Sequence, residues 1–255
     1  MSAPTLASGP ACPVPLADAD RVQLGHGSGG KMSAALLRDR FLVHLDNPVL
    51  AALGDAAVVP VDAGDIVVST DSFVVSPIEF PNGTIGSLAV HGTLNDLAMM
   101  GAVPRYLTAG FILEEGLAID RLDRIVADLA GAARRAGVPV VTGDTKVVER
   151  GKADGLYINT TGIGVLDPSL RPRPDAVREG DVLIISGPLA CHGMAIMAAR
   201  EGLAFEAQIE SDSACLVPLV DLLRGDLAGA VRAMRDPTRG GLASALNEIA
   251  AASGV

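Results

Sequence analysis

The chain is poor in aromatic residues: its 255 residues include five Phe, two Tyr and no Trp. Proteins that read single-stranded nucleic acid by base stacking depend on such side chains. Basic residues are also outnumbered, 20 against 30 acidic, and the resulting net charge of −10 repels phosphate backbones. These deficits exclude nucleic-acid binding. An anionic ligand would have to be met by a local cluster of cations or by a metal ion.

Cysteine is scarce as well. Cys12, Cys191 and Cys215 are too widely separated for a CxxC metal site and too few for a disulfide framework. The first twenty residues lack the basic start and apolar run of a signal peptide, and we expect them to be a disordered lead-in. No apolar run reaches the roughly 18 residues that span a membrane. We therefore expect a soluble protein of the reducing cytoplasm, without membrane association.

The hydrophobic pattern predicts an α/β protein of two units. The first domain, residues 21–168, should contain a four-stranded sheet, and residues 171–180 form a proline-rich connector. Its predicted elements are a helix at 31–45, a hairpin of strands 56–61 and 66–70, helices at 84–100 and 119–136, and strands at 106–113, 138–142 and 156–165. The second domain, 178–255, starts with a predicted buried strand at 182–186. Helices follow near 192–201, 213–224 and 239–253. Since one strand cannot close a core, we expect this domain to be incomplete.

The predicted helix TIGSLAVHGTLNDLAMMG contains one carboxylate, Asp96. At about 100° per residue, Asp96 shares an apolar face with Ile85, Leu88, Ala89, Gly92 and Met99. An ionised carboxylate there is costly without a partner, and the segment has no Lys or Arg. A metal ion would satisfy the charge. The alternative is an Asp that is protonated or hydrogen-bonded to backbone.

A glycine-rich loop, GHGSGGK, ends at Lys31. Its consecutive N–H groups can form an anion nest, to which Lys31 adds a positive charge. The spacing matches a P-loop up to Lys31, but Met32 stands where a P-loop needs Ser or Thr for magnesium. We predict a phosphate-facing loop that is not a Walker A motif. A plain glycine hinge before a helix is the alternative.

Two further aspartates flank the predicted hairpin: Asp55 precedes one strand and Asp71 follows the other. Their carboxylates can therefore converge at one end of the sheet. Each alone is an ordinary turn or cap residue. Together with Asp96 they offer the hard oxygen ligands that suit Mg²⁺.

Two polar motifs and one amide complete the candidate site. TGDTK should follow a strand and offers Gly143, Asp144, Thr145 and Lys146. DPTRGG, which contains Asp236 and Arg239, opens the last predicted helix and suggests a second anion or metal contact, although alone it is a capping turn. Asn95, next to Asp96, could orient a ligand or nucleotide. His91 faces away from Asp96 and is predicted to be structural.

The motifs HGSGGK, GDAAV, TDSF, HGTLNDLAMMGAVP, GDTK, HGMAI and DPTRGG occur in the order typical of one family. From about Val22 to its last residue the chain resembles the HypE family of hydrogenase maturation proteins, within the aminoimidazole-ribonucleotide-synthetase-like (PurM-like) superfamily. Selenophosphate-forming relatives carry Cys or selenocysteine in the glycine loop, where this chain has His26-Gly27-Ser28. Thiamine-phosphate kinases share the acidic motifs but not this loop.

The resemblance implies a PurM-like homodimer in which two four-stranded sheets pair into a β-barrel, with ATP bound near the interface. It further implies an ATP-dependent dehydratase. A carbamoyl group, delivered by the HypF carbamoyltransferase to a C-terminal cysteine, is phosphorylated on oxygen and loses phosphate to leave a thiocyanate. The cyanide then passes to iron on a HypC–HypD complex.

By motif match the resemblance also implies site residues. Lys31 would face the phosphates, and Lys146 would lie near the thiocarboxamide. Magnesium would be held by Asp55, Asp71, Asp96 and Asp236. Nucleotide or phosphate contacts would come from Gly27, Gly29, Gly30, Lys31, Asn95, Gly143, Asp144, Thr145 and Arg239.

The family's acceptor cysteine lies at the extreme C-terminus, which this sequence does not contain. Cys191 also replaces an acidic residue expected before His192-Gly193. We therefore expect a fragment that is inactive without the terminal cysteine. The alternatives are a dimer that binds nucleotide without turnover, or another superfamily enzyme such as a small-molecule kinase.

Overall fold

A computed structural model describes residues 20–27, 31–50, 61, 64–202, 209–238 and 240–255. Asp55, Gly29, Gly30, Arg239 and most of the predicted strand 56–61 lie outside these residues, as does the side chain of Lys31. Within the described chain, none of the helices combines the length and apolar character needed to cross a bilayer.

The first domain is built on a four-stranded mixed sheet, as predicted. Its strands are β1 (Ile66–Phe73), β4 (Ala102–Glu114), β5 (Val140–Val148) and β6 (Leu156–Leu166), in the order β1-β6-β4-β5. Strand β6 pairs antiparallel with both β1 and β4, whereas β5 runs parallel to β4. The two short strands β2 (Glu79–Phe80) and β3 (Gly83–Thr84) form a separate hairpin. Both edges of the main sheet, β1 and β5, carry residues of the predicted site.

Strands β1, β4 and β5 each extend several residues beyond their predicted bounds. The TGDTK motif lies inside β5 instead of following it, and Asp71 lies inside β1. Gly and Asp are disfavoured in strands, which is why the sequence suggested a loop. Backbone pairing overrides that preference, because residues 143–148 are all in register with β4.

Helices cover one face of the sheet. A helical run consists of α1 (Lys31–Leu36), a π-helical turn (Leu37–Leu42) and α2 (Val43–Leu45), within the predicted bounds. The longer α3 (Ile85–Met99) begins at a capping box formed by Thr84 and Ser87. Helix α4 (Ile119–Ala136) ends at Gly137 in the left-handed conformation. Both longer helices confirm the predicted ones.

The core lies between these helices and the sheet. Leu94 and Leu97 of α3, Leu107 and Leu113 of β4 and Ile125 of α4 are completely buried. The opposite face of the sheet is open: the side chains of Ile66 and Val68 are 52% and 61% exposed, and Ile112 is 43% exposed. Among the described residues, the sheet is therefore packed on one side only.

The second domain departs from prediction at its start. Residues 182–186 are not in a strand, and Val182 and Ile184 are 83% and 85% exposed, so the predicted buried strand is wrong. A strand needs a partner for its N–H and C=O groups, and the described part of the chain supplies none there.

The helices of the second domain are α5 (Cys191–Glu201), α6 (Val217–Asp221) and α7 (Gly241–Ser253). Short 3₁₀ turns span Leu24–Gly27, Pro174–Ala176 and Gly225–Ala230. The predicted helix at 213–224 is reduced to α6. Residues 213–216 are not helical, because side chains of α3 bind them, as described below.

The close contact of α3 with α4 yields a stability prediction. A Cβ added to Gly86 would collide with the carbonyl oxygen of Ile125, whereas one added to Gly131 would meet only the end of the Arg135 side chain. Gly86→Ala should therefore lower the free energy of unfolding by about 1–3 kcal/mol. The matched control, Gly131→Ala, should raise it by up to about 1 kcal/mol through helix propensity. Urea denaturation measures both, and equal effects of the two substitutions would contradict the packing argument.

Candidate functional site

Asp96 lies on the least buried side of α3. The helix is buried almost all round, and its partly exposed side contains Leu88, Gly92, Asp96 and Met99. The prediction that Asp96 lies in an apolar face is only partly right. The residues beside it are apolar, but this side of α3 is partly exposed and faces β1. There the Ser69 hydroxyl donates to Asp96 Oδ2 at 2.6 Å. Such a bond to a carboxylate is strong, yet it brings no positive charge.

Asp71 stands two residues beyond Ser69 on β1, so its side chain leaves the strand on the same face. Asp236 belongs to the second domain and precedes α7 in the chain. Burial raises the pKa of the Asp236 carboxyl to about 6, and the charges of Asp96 and, more weakly, Asp71 act in the same direction. The backbone and Arg235 oppose this shift. We call Asp71, Asp96 and Asp236 the acidic centre.

The acidic centre fits a hard divalent cation in its chemistry, because all its side-chain donors are carboxylate oxygens. Its members interact electrostatically but are not drawn tightly together: among the described residues no three Asp, Glu, His or Cys side chains are close enough to share one metal ion. Asp55, the fourth predicted ligand, lies outside the described residues. The gathered like charges raise the free energy of the cation-free protein.

The GDTK motif lies far from the acidic centre within one chain. Asp71 and Gly143 are level with each other across the sheet, but β6 and β4 lie between them, a separation of roughly 14 Å. Lys146 Nζ is 2.9 Å from Asp144 Oδ1, and this hydrogen bond lowers the pKa of Asp144. The amide N–H of Thr145 donates to the same oxygen. The predicted site residues therefore form two groups on opposite edges.

Gly143 has a structural reason to be glycine. A Cβ at this position would run into the carbonyl oxygen of Ala109 on the neighbouring strand. The backbones of β4 and β5 approach closely there, just past an irregularity in their register at Leu107/Thr108. Close strand packing accounts for this glycine without a nucleotide.

Asn95 binds the second domain. Its Nδ2 donates to the carbonyl oxygen of Ala214 at 2.9 Å, and the N–H of Leu216 donates to its Oδ1 at 2.8 Å. One turn earlier on α3, His91 Nδ1 is 3.0 Å from the Ser213 hydroxyl, and burial lowers the pKa of His91. His91 is thus structural, as predicted. The amide of Asn95 is engaged by protein backbone at both ends, which gives no support to its predicted contact with nucleotide.

Sequence reasoning missed two residues that organise the site. Ser69 bonds Asp96, and its position two residues before Asp71 on a strand was a usable signal. Arg224 gave no local signal. Its guanidinium donates to the carbonyl oxygens of Gly101 and Ala102 and to the carboxylate of Asp167, all at 2.9–3.0 Å. Arg224 therefore ties the second domain to the C-terminal end of α3.

The two cysteines of the described chain, Cys191 and Cys215, are both free thiols. Burial raises the pKa of the Cys215 thiol, which reduces its thiolate fraction near neutral pH. Cys191 is the first residue of α5, where its backbone N–H and that of His192 donate to Asp212. That capping role needs no thiol.

Two family models match the chain and define its class. The N-terminal domain of AIR synthase related proteins matches residues 53–166, and the C-terminal domain of the same proteins matches residues 178–255. Together the matches include every member of the acidic centre. The chain therefore belongs to the AIR synthase related proteins.

Individual relatives identify the family to which the chain belongs within this class. Carbamoyl dehydratase HypE of Cupriavidus necator is 52% identical over 92% of this chain and 67% of its own length. HypE of Escherichia coli K12 is 46% identical over 92% of this chain and 71% of its own. The chain belongs to the HypE family, and it spans about two thirds of the length of these relatives.

Solved structures agree. A crystal structure of the hydrogenase maturation protein HypE in complex with ATP is 53% identical, with a TM-score of 0.87 over 91% of this chain and 68% of that one. A HypE–HypF complex is 48% identical, with a TM-score of 0.73 over 87% and 71%. A thiamine-monophosphate kinase from Stenotrophomonas maltophilia is 25% identical, with a TM-score of 0.59 over 86% and 72%.

The raised pKa of Asp236 predicts a pH-dependent stability in the absence of divalent cations. The native carboxyl holds its proton up to about pH 6, while the unfolded one loses it near pH 4. The contribution of Asp236 to stability should therefore fall as the pH rises from 4 to above 6, and comparison with a variant isolates this contribution from those of the other carboxyls. Because the carboxyl is partly exposed, we expect Asp236→Asn to be about 1–2 kcal/mol more stable than the parent at pH 7.5, and equal to it at pH 4.

Denaturant unfolding in EDTA at the two pH values measures the difference. Asp226→Asn, at an exposed acid of the same domain, is the control and should match the parent at both. A constant offset between Asp236→Asn and the parent at the two pH values would contradict the prediction.

Proposed function

We propose that this chain acts in [NiFe]-hydrogenase maturation as an ATP-dependent carbamoyl dehydratase, which converts a cysteine-borne thiocarboxamide into a thiocyanate. The observation that carries the proposal is the acidic centre, assembled from both domains of a chain 53% identical to a HypE solved with ATP. The lower identity to the thiamine-monophosphate kinase, 25%, favours the dehydratase over a small-molecule kinase.

The chemistry accounts for the use of ATP. An amide oxygen is a poor leaving group, and phosphorylation turns it into a good one. The γ-phosphoryl group moves to the carbamoyl oxygen with loss of one N–H proton, and phosphate then leaves as the second N–H proton departs and the C≡N bond forms. Such a transfer needs mainly positioning and charge neutralisation.

The acidic centre supplies carboxylates that can hold the cation needed for this charge neutralisation. We propose that Asp71, Asp96 and Asp236, which are not close enough to share an ion as they stand, would move together with Asp55 to hold Mg²⁺. The bound cation would neutralise charge on the ATP phosphates. Ser69 fixes the orientation of the Asp96 carboxylate. A protein of net charge −10 can bind a polyanionic nucleotide on these terms, because the cation lies between the like charges.

The remaining assignments stay proposals that rest on the motifs. Gly27, Gly29, Gly30 and Lys31 would cradle phosphates, and Arg239 would add a cation. Gly143, Asp144 and Thr145 would approach the nucleotide, and Lys146 the carbamoyl group. Because Lys146 lies across the sheet from the acidic centre, it reaches the transferred group only if the substrate spans the sheet or a second copy of the chain supplies it.

We also propose the partners. The open face of the sheet, with Ile66, Val68 and Ile112, is apolar enough to pair with that of a second copy, which supports a homodimer. A HypE has been solved with HypF, and we propose the same partner here, in the cytoplasm, with a HypC–HypD complex as the recipient of the cyanide.

An isotope experiment tests the proposed reaction. A peptide with an S-carbamoylated cysteine, labelled with ¹⁸O in the carbamoyl group, is incubated with the chain, ATP and Mg²⁺. We expect the label in inorganic phosphate and a thiocyanate on the peptide, both read by mass spectrometry. Asp96→Asn should slow the reaction at least tenfold because it removes a charged ligand, while Asp226→Asn should not change it. ADP formation without labelled phosphate would contradict the dehydration.

The open face generates a separate prediction about assembly. Val68→Lys places a charge on the exposed apolar part of this face and should shift the dimer to monomer in sedimentation at micromolar concentration. Val43→Lys, at an equally exposed valine of α2 outside the sheet, should leave the dimer intact. A parent chain that sediments only as monomer would rule out the proposed interface.

A further inference from the structure

Helix α3 contacts the sheet with one of its sides and the second domain with another. On the side facing the sheet, the Thr93 hydroxyl is 2.6 Å from that of Thr160, which holds the helix to β6. On another side, His91 and Asn95, four residues apart, contact residues 213–216 of the second domain. The next residue after Asn95 is Asp96, so the link between the domains adjoins the acidic centre.

We propose that Asn95 is a positioning residue that fixes the second domain on α3, and thereby places Asp236 beside Asp96. The inference deepens the proposed function, since it concerns how the proposed cation site is assembled. Asn95 acts through Asp236 and is not itself a ligand.

The contacts of Asn95 support its role in fixing the second domain on α3. The side chain is only 9% exposed, and it binds one C=O and one N–H two residues apart, as a neighbouring strand would. Loss of the amide would leave both backbone groups without this partner at a partly buried site. No apolar residue of similar size can replace these two bonds.

The segment between residue 216 and Asp236 packs against the core at several points. After residue 216, the chain returns repeatedly to the core: Val217, Val220 and Ala228 are buried, and Val231 and Met234 pack against it. Arg224 adds a second polar anchor at Gly101 and Ala102. Asp236 follows Met234 by two residues, so its position depends on how this whole segment sits on α3.

The experiment compares Asn95→Ala with Asn247→Ala, at an exposed asparagine of α7 that bonds only within its own helix. Mn²⁺ affinity, measured by electron paramagnetic resonance without nucleotide, should fall about tenfold in Asn95→Ala and stay unchanged in Asn247→Ala. Hydrogen exchange should become faster at residues 213–216 and at 231–238 in Asn95→Ala alone. Unchanged exchange at 231–238 would overturn the proposal.

A double-mutant cycle separates positioning from direct binding. In the Asp236→Asn background, Asn95→Ala should cause no further loss of Mn²⁺ affinity, because Asn95 acts through that carboxylate. A full additional loss would show that Asn95 acts on Asp96 or on the ligand, and would overturn the proposal. If the parent binds no Mn²⁺, the proposed cation site fails, and the exchange measurement still decides the positioning role.

Circular dichroism and thermal melting establish that each variant folds. Should Asn95→Ala fail to fold, Asn95→Asp provides a second test: it keeps an acceptor for the Leu216 N–H, but it replaces the donor to Ala214 with a carboxylate oxygen that repels the Ala214 carbonyl oxygen. Exchange at 231–238 should then rise above that of the Asn247→Ala control, and a value equal to the control would overturn the proposal.

Discussion

The burial of one carboxyl, Asp236, against the repulsion of two others is the constraint on which the contact between the domains depends. Asp236, from one domain, is held near Asp96 and Asp71 of the other, and its raised pKa reports both burial and that repulsion. Something must offset the cost of keeping like charges together. Asn95 and Arg224 do so on the protein side, with hydrogen bonds to backbone that hold the domains in place. A divalent cation would offset it on the ligand side.

The sequence predicted those parts of the fold that local periodicity controls. Helices α3 and α4 were recognisable because their apolar spacing, start signals and terminal glycine agree with one another. Pairing was less predictable. The run at 182–186 is apolar enough for a buried strand, but an apolar run does not specify a partner, and none is present in the described chain. Conversely, β5 continues through glycine and aspartate because β4 pairs with them.

The candidate site, like the fold, could be predicted from the sequence only in part. Asp96 was found as the single carboxylate of an apolar helix, Asp71 by its place at the end of a predicted strand, and Asp236 through the DPTRGG motif. In the structure, the charges of Asp96 and Asp71 both act on Asp236. The residues that organise them, Ser69 and Arg224, were missed because the contacts that matter join residues 27 positions apart for Ser69 and 57 for Arg224. Arg224 also pairs with Asp221, three residues away, but that contact gives no sign of the first domain. Asn95 was noticed for its position beside Asp96 but given a ligand role. Adjacency in sequence showed where Asn95 is; only its contacts with residues 214 and 216 showed what it holds.

The domain contact and the cation site are thermodynamically linked. Cation binding relieves the repulsion between Asp236 and the first domain, so it must strengthen the attachment of the second domain to α3. By reciprocity, attachment of the second domain raises cation affinity by the same factor by which the bound cation favours attachment. A nucleotide that brings its own cation would therefore bind most tightly when the second domain is attached to α3. In this way a fold with few basic residues can select a polyanion only in its metal-bound form, because neither the acidic centre nor the nucleotide tolerates the other alone.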